Sequence, residues 1–142
     1  MANKKTKKTK KDFEFRPFEG ISKTGPYLRI KKDMMESKAW QALNIHSIVV
    51  YLYIKAKYNF NNANDISFTY REAAQLMHKS TFTKAIDQLI ECGFIKIEQH
   101  RWNTRESTIY ALTDQWRLYG TDQMKITPRI SRKRKVSDNS NG

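Results

Sequence analysis

The sequence predicts an α+β, mostly helical fold: a winged helix-turn-helix with a three-stranded antiparallel sheet and disordered basic tails. Two short helices with capping residues follow one another between residues 69 and 93, and two alternating stretches typical of a hairpin come next. The chain has 142 residues, of which 39% are hydrophobic, so it can bury one modest core. We therefore expect one folded domain.

The chain is strongly basic, with 27 lysines and arginines against 14 aspartates and glutamates, a formal net charge of +13. Much of the excess lies at the ends, since residues 1–16 carry +5 and residues 125–142 also carry +5. Both ends lack the apolar side chains that would offset the entropy of ordering. The expected organisation is a disordered basic arm over 1–20, a folded domain over 21–120 and a disordered basic tail over 121–142.

Such a charge excess is typical of a protein with a polyanionic partner, and nucleic acid is the leading candidate. The arms either contact phosphates or serve only for solubility or, at residues 132–135, as a localisation patch. No apolar run approaches the roughly 18 residues of a membrane-spanning helix, and the lysine-rich start lacks the apolar segment of a signal peptide. The sequence predicts a cytoplasmic protein with no membrane partner.

Four segments before residue 69 are predicted to be regular: a strand at 27–31, a helix at 33–43, a helix at 48–57 and a brief strand at 66–68. Ser37 can cap a second turn within the first helical segment, and either Asn44 or Ser47 can cap the next helix. Four asparagines between residues 59 and 65 indicate a loop.

The helix-turn-helix has the stronger signal. Thr69 and Glu72 have the spacing of a capping box, which begins a helix over 70–77. Ser80 is predicted to cap a second helix over 80–92, and Gly93 to end it in the left-handed conformation. One apolar stripe of this second helix is expected to face the core: Phe82, Ala85, Ile86, Leu89 and Ile90.

Polar side chains of the second helix and of the turn before it lie outside this stripe. They form the predicted recognition surface: Lys79, Ser80, Thr81, Thr83, Lys84, Asp87 and Gln88. Hydroxyl and amide groups of this kind can hydrogen-bond base edges, and Lys84 can reach guanine or phosphate. The same residue types also occur on a solvated helix face, so the surface is suitable for DNA without being diagnostic.

The tip of the hairpin is the second predicted contact. It is a basic wing suited to phosphates or to a minor groove, and its candidate residues are Arg101, Trp102, Asn103 and Arg105. Trp102 could instead fold back on the sheet as a structural lid. Arg101 and Arg105 are expected to be exposed in either arrangement.

Several short segments resemble one known family: YLRI at 27–30, SKAW at 37–40, YLYIKAKYN at 51–59, ISFTYREAA at 66–74, STFTKAIDQLIECGFI at 80–95 and WRL at 116–118. The family consists of small winged-helix proteins of bacterial plasmids, phages and integrative elements, often described as replication-initiator-like. The resemblance implies sequence-specific binding of double-stranded DNA, with the helix from Ser80 in the major groove. It also implies a regulator of transcription or an accessory of replication or conjugation, located with the nucleoid or a plasmid. His78 and Lys79 depart from the glycine-containing turn of many relatives.

The alternative to a binding protein is an enzyme, and the sequence offers little support for an enzyme. His46, His78 and His100 are scattered, and no HExxH, CxxC or glycine-rich phosphate loop occurs. We therefore predict no catalytic residue, no metal and no cofactor. The lone Cys92 excludes an internal disulfide and falls at an apolar helix end, as a buried filler would.

Two other binding roles stay open: an adaptor that binds a protein partner, as an anti-host or assembly factor, and an RNA binder. The case for RNA rests on three aromatic residues that could stack on bases, Trp102, Tyr70 and Phe60. A homodimer is also open, because such modules often bind paired half-sites, although no heptad repeat supports one.

Overall fold

The computed structural model describes residues 15–21, 25–99 and 107–129. They form five α-helices and a three-stranded antiparallel sheet, in the order α1 (Lys32–Glu36), α2 (Lys38–Gln41), α3 (Ile45–Ala56), β1 (Ile66–Ser67), α4 (Tyr70–Ala73), α5 (Lys79–Glu91), β2 (Ile95–Gln99) and β3 (Ile109–Leu112). Two 3₁₀ helices, Pro17–Glu19 and Gln115–Leu118, lie outside this series. The fold is α+β with a three-stranded antiparallel sheet, as predicted. None of the helices in these ranges is long and apolar enough to cross a membrane.

The sheet has the strand order β1–β3–β2, and both strand pairs are antiparallel. In the central strand, Tyr110 lies opposite Ile66 of β1 on one side and Ile97 of β2 on the other. A bulge interrupts the register between Ile97 and Gln99, and a bulge bends a strand and increases its twist. The β2–β3 pair is therefore irregular where it leads into the loop with the predicted wing residues.

The core is centred on Phe94, which follows α5 directly and has no exposed surface. Its ring makes edge contacts with Trp40 and Tyr51 at centroid distances of 5.7 and 5.3 Å. It also stacks on Trp116 at 6.0 Å. Because these partners come from α2, α3 and the 3₁₀ helix Gln115–Leu118, one ring joins three elements to the end of α5.

Side-chain caps fix the starts of α2 and α3. The Ser37 hydroxyl accepts a hydrogen bond from the Trp40 N–H at 3.2 Å, and the Asn44 side chain accepts one from the Ser47 N–H at 2.9 Å. Asn44, rather than Ser47, is thus the cap of α3. These bonds satisfy backbone donors that the first turn of a helix leaves unpaired.

Three predicted elements differ from the structure. Residues 27–31 are not part of the described sheet; the segment crosses the surface, where Tyr27 packs on Phe15 at 4.8 Å. The helix predicted at 33–43 is broken at Ser37, whose extended backbone begins α2 anew. The helix predicted at 70–77 ends at Ala73, and its continuation tightens into turns. At 27–31 no described strand lies beside the segment, and in the other two cases the chain turns within the predicted helix.

The end of α5 is a Schellman motif. The Phe94 N–H donates to the Leu89 carbonyl at 2.9 Å, and the Gly93 N–H donates to the Ile90 carbonyl at 3.1 Å. Gly93 has φ +83°, the left-handed conformation that glycine adopts without steric cost, so the predicted helix end is confirmed. The Gly93 carbonyl then accepts a hydrogen bond from the Trp116 N–H at 2.9 Å, which fastens the segment after β3 to the end of α5.

The capping box at the start of α4 is also confirmed. The Glu72 N–H donates to the Thr69 hydroxyl at 3.1 Å, and the Thr69 N–H donates to the Glu72 carboxylate at 2.8 Å. Glu72 also forms an ion pair with Lys57, just after α3. The hydrogen bond from Lys57, followed by the backbone bond from Thr69, holds the pKa of the Glu72 carboxyl below its ordinary value of 4.5.

Glu72→Gln is expected to lower stability at neutral pH and less so in acid. A carboxyl with a depressed folded pKa stabilises the fold above its unfolded pKa, and that contribution is lost as the pH falls through the folded pKa. Glutamine keeps the capping geometry and removes only the charge. Because the side chains of the pair are 35% and 40% exposed, the expected loss at pH 7 is below about 1 kcal/mol.

Urea unfolding of wild type and Glu72→Gln at pH 7 and at pH 3 measures this effect. The difference between the two proteins should be present at pH 7 and smaller at pH 3. Glu36→Gln is the control, since Glu36 is exposed and has no ion-pair partner among the described residues. A stability difference for Glu72→Gln that is the same at both pH values contradicts the role given to the charge.

Candidate nucleic-acid interface

Helix α5 turns one side to the core and the other to solvent. The predicted stripe of Phe82, Ala85, Ile86, Leu89 and Ile90 is buried, as expected, and α5 packs against α3 on this side. Ser80, Lys84 and Asp87 are four and three residues apart and lie on the opposite side. This side of α5 is the centre of the candidate interface.

The residue that caps the start of α5 differs from the predicted one. His78, not Ser80, is the N-cap: its Nδ1 accepts from the Ser80 N–H at 3.2 Å and lies 2.9 Å from the Ser80 hydroxyl. Ser80 therefore stands inside the first turn, exposed, as part of the helix surface. The sequence favoured serine because it is the more frequent cap, whereas an imidazole nitrogen in the extended position before Lys79 serves the same purpose.

Lys84 is exposed and has no ion-pair partner in the described part of the chain. Thr83 and Thr81 flank it and are half-buried, and the Thr83 hydroxyl donates to the Lys79 carbonyl at 3.0 Å. A threonine bonded in this way can still accept a hydrogen bond from a ligand. The structure thus leaves Lys84 as the free cation near the middle of this surface.

Lys79 is held by an aromatic ring. Its Nζ lies 4.6 Å from the centroid of Tyr70, whose ring packs edge-on against Phe82 at 5.4 Å and remains 50% exposed. From the sequence, Tyr70 was considered only as a residue that could stack on RNA bases. An exposed aromatic directly after a helix cap is the signal that could have placed it beside α5.

Asp87 does not stand alone on the helix. Arg129 forms two hydrogen bonds with its carboxylate, at 2.8 and 3.2 Å, which is the bidentate geometry of a strong arginine pair. The pair neutralises the one carboxylate near the middle of this surface and brings a guanidinium to the edge of α5. Sequence reasoning missed Arg129, since it lies 42 residues from Asp87 within the segment assigned to the tail.

Gln88 is not available for base contacts, which corrects its place in the predicted set. Its Oε1 accepts from the Asn44 N–H at 2.9 Å and from the Ser47 hydroxyl at 2.6 Å. Its Nε2 donates to the Ala42 carbonyl at 3.1 Å. Gln88 therefore fastens α5 to the start of α3, where a buried serine needs a partner.

The predicted wing residues Arg101, Trp102, Asn103 and Arg105 lie outside the described residues. The strands on either side are described, and Gln99 of β2 pairs with Ile109 of β3. The predicted arms are likewise described only at 15–20 and 121–129. The latter segment returns to the domain, since the Lys125 N–H donates to the Gln115 side chain at 2.7 Å.

Comparisons with known protein families, with curated proteins and with solved structures found no match. Among the described residues, no group of three or more His, Cys, Asp or Glu side chains is arranged to hold a metal ion. Since a fold alone does not specify a function, the chemistry of the α5 surface and its surroundings must support the assignment.

Proposed function

We propose that this chain is a winged helix-turn-helix protein that binds double-stranded DNA sequence-specifically. In this proposal α5 enters the major groove, the loop with Arg101 and Arg105 contacts the backbone, and the basic ends add phosphate contacts. The observation that carries it is the solvent side of α5, where Ser80 and Lys84 are exposed and Lys84 has no ion-pair partner among the described residues.

The charges around α5 support the proposal. Lys79 and Lys84 are cations of the helix itself, and Arg129 cancels the charge of Asp87. The first turn of α5 adds the partial positive charge of a helix N-terminus, which favours phosphate. A duplex approaching this side therefore meets donors and cations first, and the carboxylate of Glu91 only at the far end of the helix.

The biological setting proposed with it is that of a bacterial mobile element. The protein would act there as a regulator of transcription or as an accessory of replication or conjugation, with the nucleoid or a plasmid as its location. This setting follows from the resemblance of the sequence segments, whereas the DNA contact is supported by the surface chemistry of α5.

Lys84→Ala is expected to reduce the preference for the selected DNA site by about 1 to 3 kcal/mol, because Lys84 is placed to bond base edges. Arg101→Ala is expected to weaken selected and random duplexes alike, since a backbone contact carries no sequence information. The measurement is a competition gel shift with a site selected from random duplex DNA. Lys38→Ala is the matched control, because Lys38 is an exposed lysine of α2 that lies beside Trp116 and Tyr119 rather than on α5.

Two results would contradict the proposal. In the first, Lys84→Ala and Lys38→Ala bind the selected site with equal preference, so that α5 is not the reading helix. In the second, duplex affinity does not fall as salt rises; that outcome favours an apolar interface with a protein partner, since phosphate contacts release counterions and depend steeply on salt. A preference for RNA over duplex DNA in the same competition would favour the RNA-binding role.

A further inference from the structure

A second basic surface lies away from α5. It is an open groove of about 1070 Å³ between α3, the segment before α1 and the 3₁₀ helix Gln115–Leu118. No residue of α5 is among the described residues that line it. A ligand in this groove would therefore leave the proposed duplex surface uncovered.

The groove carries a large excess of positive charge. Six basic side chains line it: Arg29, Lys31, Lys55, Lys96, Arg117 and Lys125. The acidic lining consists of Asp33 and Asp114. Of the six cations, Lys96 alone has a carboxylate partner within 4 Å among the described residues, Glu98 at 3.4 Å. The other five are left without a counter-charge, which makes the groove a site of positive potential.

Aromatic rings, rather than carboxylates, hold three of these cations in place. The pairs are Arg29 over Phe60 at 4.8 Å, Lys55 over Tyr58 at 5.3 Å and Arg117 over Trp116 at 5.1 Å. Tyr58 and Phe60 also touch each other, at 5.3 Å between centroids, so two of the pairs form one wall. An aromatic contact orients a cation without neutralising it, so its charge stays available to an anion.

The backbone of this wall is strained at Phe60. Its φ of +74° lies in the left-handed region, which is uncommon for a residue other than glycine. Side-chain hydrogen bonds of the asparagine-rich loop maintain this conformation. The Asn62 side chain accepts from the Asn59 N–H at 2.8 Å, and the Asn59 side chain accepts from the Asn61 N–H at 3.0 Å. Phe60 is not among the residues that line the groove, so its strained backbone shapes the wall beside the groove rather than the lining itself.

Tyr51 also lines the groove. Tyr51 is 3% exposed, and its hydroxyl has no hydrogen-bond partner among the described residues. Since no fully buried side-chain oxygen in the described residues lacks a partner, the small exposed part of Tyr51 includes its hydroxyl. Burial raises the pKa of Tyr51 to about 12, so the group stays protonated and can donate to an acceptor in the groove.

The pKa of Lys55 shows that the positive charges of the groove repel one another. Burial, followed by the nearby charge of Arg29, lowers the pKa of the Lys55 ammonium. A bound anion would offset that repulsion. The groove therefore offers cations and a neutral hydroxyl donor, the combination that phosphate oxygens accept.

We propose that this groove binds a single strand of nucleic acid, with the Tyr51 hydroxyl and the cations Arg29 and Lys55 on its phosphates and the aromatic wall beside its bases. A strand fits better than a free nucleotide, because the cations come from separate elements: Arg29 lies before α1, Lys55 in α3 and Arg117 in the 3₁₀ helix Gln115–Leu118. It fits better than a duplex, because Tyr51 is 3% exposed and only a ligand that enters the groove can reach it. A cationic groove with aromatic side chains is the usual arrangement for single strands.

The test is a fluorescence anisotropy titration of the full chain with a labelled oligothymidine of about 12 nucleotides, a length typical of one binding groove. Tyr51→Phe removes one oxygen and keeps the buried ring, and it is expected to weaken binding about 10- to 100-fold, as the loss of one hydrogen bond to a charged acceptor does. Arg29→Ala changes an exposed residue and is expected to weaken binding to a similar degree. Lys38→Ala should bind like wild type, and Lys84→Ala should retain oligothymidine binding.

The direct readout of the site is the indole N–H signal of Trp116 in a two-dimensional nitrogen–proton spectrum. Oligothymidine should shift this signal in wild type, and Arg29→Ala should need a higher strand concentration for the same shift. The proposal is overturned if Tyr51→Phe and Arg29→Ala bind the strand as tightly as Lys38→Ala does. It is also overturned if thymidine monophosphate binds as tightly as the strand, or if polyglutamate displaces the strand at equal charge. Duplex binding is scored separately with Lys84→Ala, so a failure of the α5 proposal leaves this test intact.

Discussion

Alanine in place of Gly93 is expected to destabilise the domain by about 2 to 5 kcal/mol, because two penalties act at the same position. The first is the backbone, since φ at Gly93 is +83°, a conformation that a Cβ disfavours. The second is space: a Cβ would lie 2.5 Å from the Trp116 nitrogen and 2.6 Å from the carbonyl carbon of Gln115. Both contacts are with backbone, so no flexible side chain can move away.

Gly120→Ala separates the two penalties. Gly120 has φ +78°, close to that of Gly93, but a Cβ there meets no atom within 4 Å. It is expected to cost about 1 to 2 kcal/mol, the conformational part alone. Urea unfolding followed by circular dichroism gives both values, provided that the slope with urea is unchanged. Equal losses for the two variants would mean that the 115–116 backbone moves aside freely, against the packing described.

Phe94→Ala is expected to cost about 3 to 5 kcal/mol, the range for emptying a buried aromatic site. Phe94 has no exposed surface, and its ring contacts Trp40, Tyr51 and Trp116 together. Those partners belong to three elements, so local collapse cannot fill the cavity without moving one of them. Against a total stability of about 5 to 15 kcal/mol for a typical domain, the loss should bring the variant close to unfolding at 37 °C.

Phe18→Ala is the control, because it makes the same substitution at another position. Phe18 is 89% exposed, so its removal is expected to change stability by less than about 0.5 kcal/mol. The same urea titration compares the two variants. A small effect of Phe94→Ala would show that the aromatic cluster is not the centre of the core, and that α2 and the 3₁₀ helix Gln115–Leu118 are held in another way.

The features predicted well from sequence are local ones. They are Thr69 with Glu72, Gly93 at the end of α5, and Asn44 at the start of α3, which was one of two predicted caps. Each acts within a few residues of chain. The buried stripe of α5 follows from the 3.6-residue period in the same way. Where a hydrogen bond joins residues within one helical turn, the residue types and their spacing nearly determine whether the cap forms.

The features that sequence reasoning missed depend on distant partners. Gln88 looked like a surface residue because its bonds to Asn44 and Ser47 cross 41 to 44 residues of chain. Asp87 looked like a free carboxylate because Arg129 lies 42 residues away. Residues 27–31 alternate as a strand does, but whether a strand edge lies beside them is decided by the whole fold. For the predicted recognition surface, the residue types identified the candidate side chains but not which of them are free to contact a ligand.

The Asp87–Arg129 pair makes the last described residue of the chain part of the α5 surface. Because the two side chains are 25% and 39% exposed, dissolved ions can reach and screen the pair. The guanidinium that borders α5 is therefore held there more firmly at low ionic strength than at high ionic strength.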